Sequence, residues 1–288
     1  MLFSLEVVLI EGFILSFAVF GIAVTIRILD FPDLTFDGSI VLGSAVTATL
    51  LSKGFNFTIA ILIATLAGCL AGFMTAFFHC KLKISKLLSG IISMTVLFTI
   101  NLRIMGSANV SLLRIDTIFS RFSKPAYIIL FLTFVSIILL LLMMLFLSSK
   151  VGLTLRGVGM NEYLISSLGF NKHLYIFIGL GLANSLVAFS GSLLSQFHKY
   201  SDISDGIGAI MTALAALVIG ESIIPYKHIR SYLISPLLGS IVFQMVIMFS
   251  LKLGLPTSDL KLLTGVLLIF ILVLKYGKDA EKIFRSNW

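Results

Sequence analysis

Apolar residues come in long runs broken by short polar stretches, at about Val7 to Ile28, Gly38 to Ser52, Phe57 to Phe78, Leu87 to Leu102, Ala126 to Leu147, Leu174 to Phe197, Ile207 to Ile219, Tyr232 to Leu251 and Leu260 to Leu274. Several reach the ~20 residues that carry a helix across a hydrocarbon core. The runs show no period-two alternation, the mark of membrane strands, and hydrocarbon leaves no other way to satisfy backbone amides than helices. The pattern therefore predicts an all-α polytopic membrane protein with about nine transmembrane helices. The second and seventh runs are short and open on polar, glycine-containing stretches, which predicts broken helices.

Those two openings resemble each other: DLTFDGSIVLGSAV from Asp33 and DISDGIGAIMTALA from Asp202. Each places an Asp-Gly pair, Asp37 with Gly38 and Asp205 with Gly206, between apolar residues and follows it with small ones. If they correspond, the chain is a single transmembrane domain made of repeat 1 (about 7–105), a linker span (about 126–147) and repeat 2 (about 174–275). The extra crossing inverts the second copy. Such an inverted four-plus-four repeat puts helix breaks near the bilayer middle, where unwound backbone lines a cavity. Two independent Asp caps at helix starts are the other reading of the same residues.

Composition sharpens the picture. Of 288 residues 58% are hydrophobic and 12% charged, about half the charged share of a soluble domain, and the mean hydropathy is +1.11. The net charge of +8 does not point to nucleic acid, because the Lys and Arg residues sit in short loops and are not interleaved with aromatics. They act as topology signals and contacts to membrane lipid. Loops with Lys81, Lys83 and Lys86, with Lys150, Arg156 and Lys172, with Lys227 and Arg230, and the tail with Lys275, Lys278, Lys282 and Arg285 fall on one side, read as cytoplasmic. The opposite loop from Arg103 to Lys124 is basic too, through Arg114 and Arg121, so the rule holds on balance. A cytoplasmic C-terminus and nine crossings place the N-terminus outside. No basic region or small-residue cleavage site precedes the first run, which is read as a retained span of an inner-membrane protein.

Catalytic and metal chemistry leave little trace. No phosphate loop, HExxH or Ser/His/Asp constellation occurs, so no catalytic residue, cofactor or metal site is assigned and any ATP chemistry must come from a partner. Cys69 and Cys80 read as packing residues. His79, His173, His198 and His228 have no ligand spacing.

The most informative polar stretch runs from about 150 to 173. From Gly152 to His173 it reads as a short helix with its flanks: Asn161 caps the N-terminus, Glu162 suits the positive dipole end, Leu164, Ile165 and Leu168 form an apolar stripe, and Gly169 stops it. A short amphipathic helix in a tight loop docks on something, either a cytoplasmic subunit, with Arg156 for an acidic contact, or the membrane surface.

Other polar residues divide by depth. Glu6 and Glu11 read as interfacial, Arg103 as snorkelling outward, and Glu221 as facing the cytoplasm or the ATPase. Asp37 and Asp205 serve equally as caps or solute contacts. Asn101 and Asn184, inside apolar runs, must hydrogen-bond to neighbouring helices or face a wet pathway. Gly68, Gly72 and Ala76 at four-residue spacing, and Gly191 with Ala188, read as close helix packing.

Five strings resemble permease subunits of bacterial ABC importers of the branched-chain amino acid and ribose class, particularly the branch assigned to tryptophan and tyrosine transport. They are RILDFPDLTFDGS from Arg27, ISMTVLFTINLRIMGSANVSLL from Ile92, LRGVGMN from Leu155, LANSLVAFSGSLLSQF from Leu182 and IGE from Ile219. The chain departs at the second Asp-Gly site, where it has YSDISDGIGAI and relatives read closer to FADVGMGIG. The resemblance implies a permease dimer, two cytoplasmic ABC ATPase subunits and an extracytoplasmic solute-binding lipoprotein. It makes Gly152 to Gly169 the ATPase-coupling region, with Arg156, Gly157, Gly159, Asn161, Glu162, Leu164, Leu168 and Gly169 as its residues. Pathway candidates are Asp37, Gly38, Asn101, Asn184, Asp205 and Gly206. The implied function is import of a small solute, such as an amino acid, by alternating access. An autonomous ion-coupled secondary transporter would share the repeat and the broken helices, and an intramembrane enzyme lacks paired catalytic groups.

Overall fold

The computed structural model describes residues 5–225, 229–256 and 259–286. Each of the nine apolar runs falls on a helix. These are α1 (Leu5–Ile22, continued by a π-helical turn Ala23–Ile28), α2 (Phe36–Ser52), α3 (Phe57–Cys80), α4 (Lys86–Met105), α5 (Pro125–Ser148), α8 (Lys172–His198), α9 (Ala209–Ile223), α10 (Ile229–Lys252) and α11 (Leu260–Ser286). Two short helices, α6 (Lys150–Met160) and α7 (Glu162–Ser167), lie between α5 and α8. The chain is a polytopic, all-helical membrane protein. Among the described residues, 6 helices are long and apolar enough to span a bilayer, while α2, α9 and the apolar part of α11, Leu260–Val273, are shorter.

Local chemistry sets the boundaries. Asn56, Ser85, Ser149, Asn161 and Asn171 each accept a backbone N–H of the helix that follows, replacing one of the partners a first turn lacks. Pro125 opens α5, where its missing N–H costs nothing. Gly106 and Gly169 close α4 and α7 at φ +70° and +85°, a backbone region that residues with a Cβ rarely adopt.

Packing is built on glycine. A Cβ on Gly68 would collide with Ala188 and one on Gly72 with the Leu180 carbonyl, so α3 lies directly on the backbone of α8. Gly43 meets the Ala188 carbonyl and Gly191 the Ile40 carbonyl, bringing α2 equally close to α8. Between these backbones, hydroxyls bond across helices: Thr47 to Ser192 at 2.6 Å and Ser190 to the Ile14 carbonyl at 2.7 Å. Without water, such close van der Waals approach and interhelical hydrogen bonding are what hold helices together. The arrangement has a correspondence between its ends. Helix α3 packs on α8 and α10 packs on α1, while α2 touches α3 and α4 as α9 touches α10 and α11.

The bundle has two poles. At one, Lys86 donates to the Asp30 carbonyl, Glu162 joins Lys86 and Lys172, and Gly159 abuts the Ile28 carbonyl. At the other lies a feature the hydropathy pattern does not predict, a two-stranded antiparallel ribbon of β1 (Asn109–Ser111) and β2 (Tyr200–Asp202), in register Asn109 to Asp202 and Ser111 to Tyr200. It joins the loop after α4 to the loop after α8. Asp202 secures it by accepting from Asn109 at 2.9 Å and from the Ser204 backbone at 2.8 Å, bonds that hold its carboxyl below the ordinary carboxylate range.

Candidate solute pathway

The connection from α1 to α2 does not leave the protein. Asp33 is 4% exposed and Thr35 fully buried. Asp33 accepts from the Thr35 N–H at 3.0 Å and from Asn184 Nδ2 at 2.7 Å, while Asn184 Oδ1 accepts the Ser39 hydroxyl at 2.6 Å. The Thr35 and Thr75 hydroxyls are 2.7 Å apart, and Thr75 reaches Ser93 at 2.8 Å. One polar network thus pins the start of α2 to α8, α3 and α4. Buried polar groups need such complete pairing, so Asn184 acts here as interhelical glue and Asp33 is its partner.

Four residues on, the two Asp-Gly pairs meet. The Asp37 carboxylate accepts from the backbone N–H of Gly208 at 3.0 Å and of Ile210 at 2.7 Å. It therefore caps α9, a helix 171 and 173 positions away in sequence, with its charge at the positive end of that helix. Gly208 sits at φ +79°, and Gly206 lies against the Asp37 carbonyl so closely that a Cβ would collide with it. Gly38 faces Leu97, and its carbonyl accepts from Asn101 Nδ2 at 3.0 Å. Asn101 Oδ1 is buried with no hydrogen-bond partner among the described residues.

Two cavities flank this junction. One, about 350 Å³, is lined by Asp37, Gly38, Asn101 and Gly206 with Thr95, Phe98 and Thr99 of α4. The other, about 280 Å³, lies between α1, α8, α9, α10 and α11 and contains Asp205. Ile207 borders both. The pathway candidates therefore separate: Asp37, Gly38, Asn101 and Gly206 share a cavity, Asp205 lines the second, and Asn184 belongs to the network beneath them.

The 150–173 segment is two helices rather than one, because Asn161, in extended backbone at φ −159° and ψ 98°, breaks the chain and caps α7 through Tyr163 and Leu164 N–H at 3.0 Å each. Within the proposed stripe only Ile165 is buried, packed over Gly157; Leu164 and Leu168 are 56% and 62% exposed, beside the exposed Met160 and Tyr163. Arg156 turns back, its Nη2 donating to the Leu147 carbonyl at 3.3 Å. Burial opposes ionisation of Glu162, yet Lys86 at 2.7 Å and Lys172 at 3.2 Å outweigh it and lower its pKa.

Two acidic side chains have partners that the sequence does not indicate. Glu221 is 5% exposed and bidentate with Arg27, Nε to Oε1 at 2.5 Å and Nη2 to Oε2 at 2.9 Å. Glu11 lies 3.1 Å from His198 Nε2 on the wall of the second cavity, which also holds Lys261 and Gln244. No local pattern marks Glu11, His198 and Lys261 as neighbours, because each comes from a different helix. Lys227 lies outside the described residues, as do the side chains of His228, Arg230, Lys275, Lys278, Lys282 and Arg285.

Residues 4–272 match the family model of the permease component of branched-chain amino acid transport systems. The chain is 40% identical to the tyrosine transport system permease protein of Clostridioides difficile over 92% of its own length and 89% of that protein. It is 30% identical to an uncharacterised protein of Rickettsia prowazekii over 88% and 91% of the two chains. No solved structure matches it significantly.

Proposed function

Since the chain belongs to the permease-component family of branched-chain amino acid transport systems, and is the permease of an amino acid transport system, we propose that it is the membrane subunit of an ATP-driven importer for an aromatic amino acid, tyrosine first. The substrate is taken from the name of the C. difficile relative. In this reading the nine helices cross the inner membrane with the N-terminus outside and the C-terminus in the cytoplasm. Helices α1 to α4 and α8 to α11 are inverted repeats, α5 is the linker span, and two permeases pair side by side.

The observation that carries the reading is the contact between the two Asp-Gly segments, where Asp37 caps α9 and Gly206 lies on the Asp37 carbonyl. Short helices α2 and α9 both begin there, from opposite directions under inverted topology, beside cavities that a solute can occupy. This supports treating them as broken helices at the bilayer middle. The pole carrying α6 and α7 is the cytoplasmic one, since positive charge collects on that side. Exposed Met160, Tyr163, Leu164 and Leu168 there offer an apolar surface for an ABC ATPase, while Asn161, Glu162, Gly157, Gly159 and Gly169 shape it and Arg156 steadies it on α5. The opposite pole, with the β1–β2 ribbon, receives the solute-binding lipoprotein. ATP-driven closure of the ATPases would move α6 and α7 and switch the bundle between outward and inward openings.

The test is reconstitution into proteoliposomes with the ATPase and binding protein encoded beside it, followed by uptake of radiolabelled L-tyrosine. ATP-dependent accumulation that needs all three components is expected. Accumulation by the permease alone under an ion gradient would overturn the reading.

A further inference from the structure

The second cavity carries chemistry that the transport reading leaves unused. Its wall is mostly aliphatic and aromatic, from Ile14, Leu15, Ile40, Leu194, Phe243 and Ile247. Into it are set Glu11, Asp205, His198 and Lys261, together with the amide of Gln244. Glu11 and His198 are 3.1 Å apart, each side chain about 28–29% exposed. Asp205 lines the same wall as His198 and Lys261, and burial, with Asp202 nearby, pushes its carboxyl above the ordinary carboxylate range. A mostly apolar pocket with a few convergent charged groups on its wall is the usual form of a small-molecule site. Here two carboxylates, an ammonium and an imidazole converge from α1, α8, α11 and the segment before α9 on one cavity of about 280 Å³.

We propose that this cavity is a binding site for the charged head of a zwitterionic amino acid, on the outer side of the Ile207 partition; the inference rests on the amino acid reading of function. Lys261 pairs with the solute carboxylate. Glu11 and Asp205 accept its ammonium, with Gln244 hydrogen-bonding across the head group. The solute side chain lies on Ile14, Leu15 and Phe243. A pocket that presents both an ammonium and carboxylates on its wall favours a ligand carrying both charges over one lacking either. The site thus makes the permease selective by itself, at the step after release from the binding protein. Leu260 and Lys261 open α11 and Ile207 to Ala209 open α9, so the occupied site draws together two helix starts of the second half.

The experiment uses the assembled transporter in proteoliposomes, with L-tyrosine uptake measured against binding-protein concentration. Tyramine, which lacks the carboxylate, and 3-(4-hydroxyphenyl)propionate, which lacks the ammonium, are added as competitors, and direct binding of L-tyrosine to the permease in nanodiscs is measured in parallel. We expect saturable L-tyrosine binding to the permease, weak competition by either analogue, and a tenfold or greater loss of binding in Lys261→Gln and Glu11→Gln. Lys261→Arg should retain most of it, which separates charge recognition from misfolding. Wild-type uptake with unchanged binding in Lys261→Gln and Glu11→Gln overturns this site and leaves the importer reading intact. Absence of amino acid uptake by the wild-type complex overturns both.

Discussion

Arg27 and Glu221, 194 positions apart, are joined by two parallel hydrogen bonds of 2.5 and 2.9 Å. The guanidinium comes from the π-helical turn that ends α1, and the carboxylate from the last turn of α9. The pair ties the end of the first helix in one half to the end of a short helix in the other. The two members are unequal, because the Glu221 side chain is 4% exposed and that of Arg27 32%. Arg27→Ala should therefore be the worse substitution, at about 3 kcal/mol, since it strips two bonds from a buried charge. Glu221→Gln keeps a hydrogen-bonding partner and should cost about 1 kcal/mol. Thermal unfolding of the two variants in the same detergent checks the order.

Asp37 predicts a local effect. Asp37→Ala removes the acceptor for the Gly208 and Ile210 N–H groups and should cost about 1–2 kcal/mol, in the range of a lost N-cap. Asp37→Asn keeps one acceptor oxygen and should be milder. Hydrogen exchange should quicken at residues 208–211 and stay unchanged in α5. Uniform acceleration throughout the chain would show that the carboxylate does not act as a cap.

At Gly43 the α2 backbone lies too close to α8 to admit a side chain. Gly43→Val would drive a branched Cβ into the Ala188 carbonyl and should destabilise by ~3 kcal/mol, as overpacking does. Gly54→Ala provides a contrast: nothing lies within 4 Å of its Cβ position, but its φ of +82° makes the cost a backbone one of about 1 kcal/mol. Size-exclusion profiles after mild heating should separate the two.

Glu162 gives a pH signature. Its folded pKa lies below the ordinary 4.5 because the two lysines outweigh burial. A group with a depressed folded pKa adds stability that is fully present above its unfolded pKa and lost as pH falls through the folded value. The docking of α7 on α4 and α8 should therefore be constant at neutral pH and weaken below about 4.5, its ordinary value. Lys86→Met should flatten that dependence in α7 hydrogen exchange.

On α7, Leu164 and Tyr163 are exposed, so Leu164→Asp should leave the thermal midpoint within about 1 °C, as surface changes do. Pull-down of the ATPase should nonetheless fall at least tenfold. Retention of the ATPase would remove α7 from the coupling surface.

Several of these features are legible in the sequence, for physical reasons. Helices α3, α5 and α8 show because each needs an unbroken apolar run. The Asn161 cap and the Gly169 stop show because capping acts over three or four neighbouring residues, and Gly68, Gly72 and Gly191 show because close packing repeats with the helix. The ribbon is invisible, since three residues such as NVS or YSD carry no usable alternation. The pairing of Glu221 with Arg27, of Asn184 with Asp33 and of Glu11 with His198 is hidden for another cause: a polar group on an apolar run shows no partner until the distant segment carrying that partner is in place.

The Asp37 knot constrains how the protein can change shape. Sliding α2 past α9 requires both of its hydrogen bonds to break together. Tilting the two short helices as one piece leaves them whole. The start of α2 and the start of α9 should therefore act as a fulcrum, with the outer and inner ends of the bundle swinging in opposite senses about a centre that barely moves.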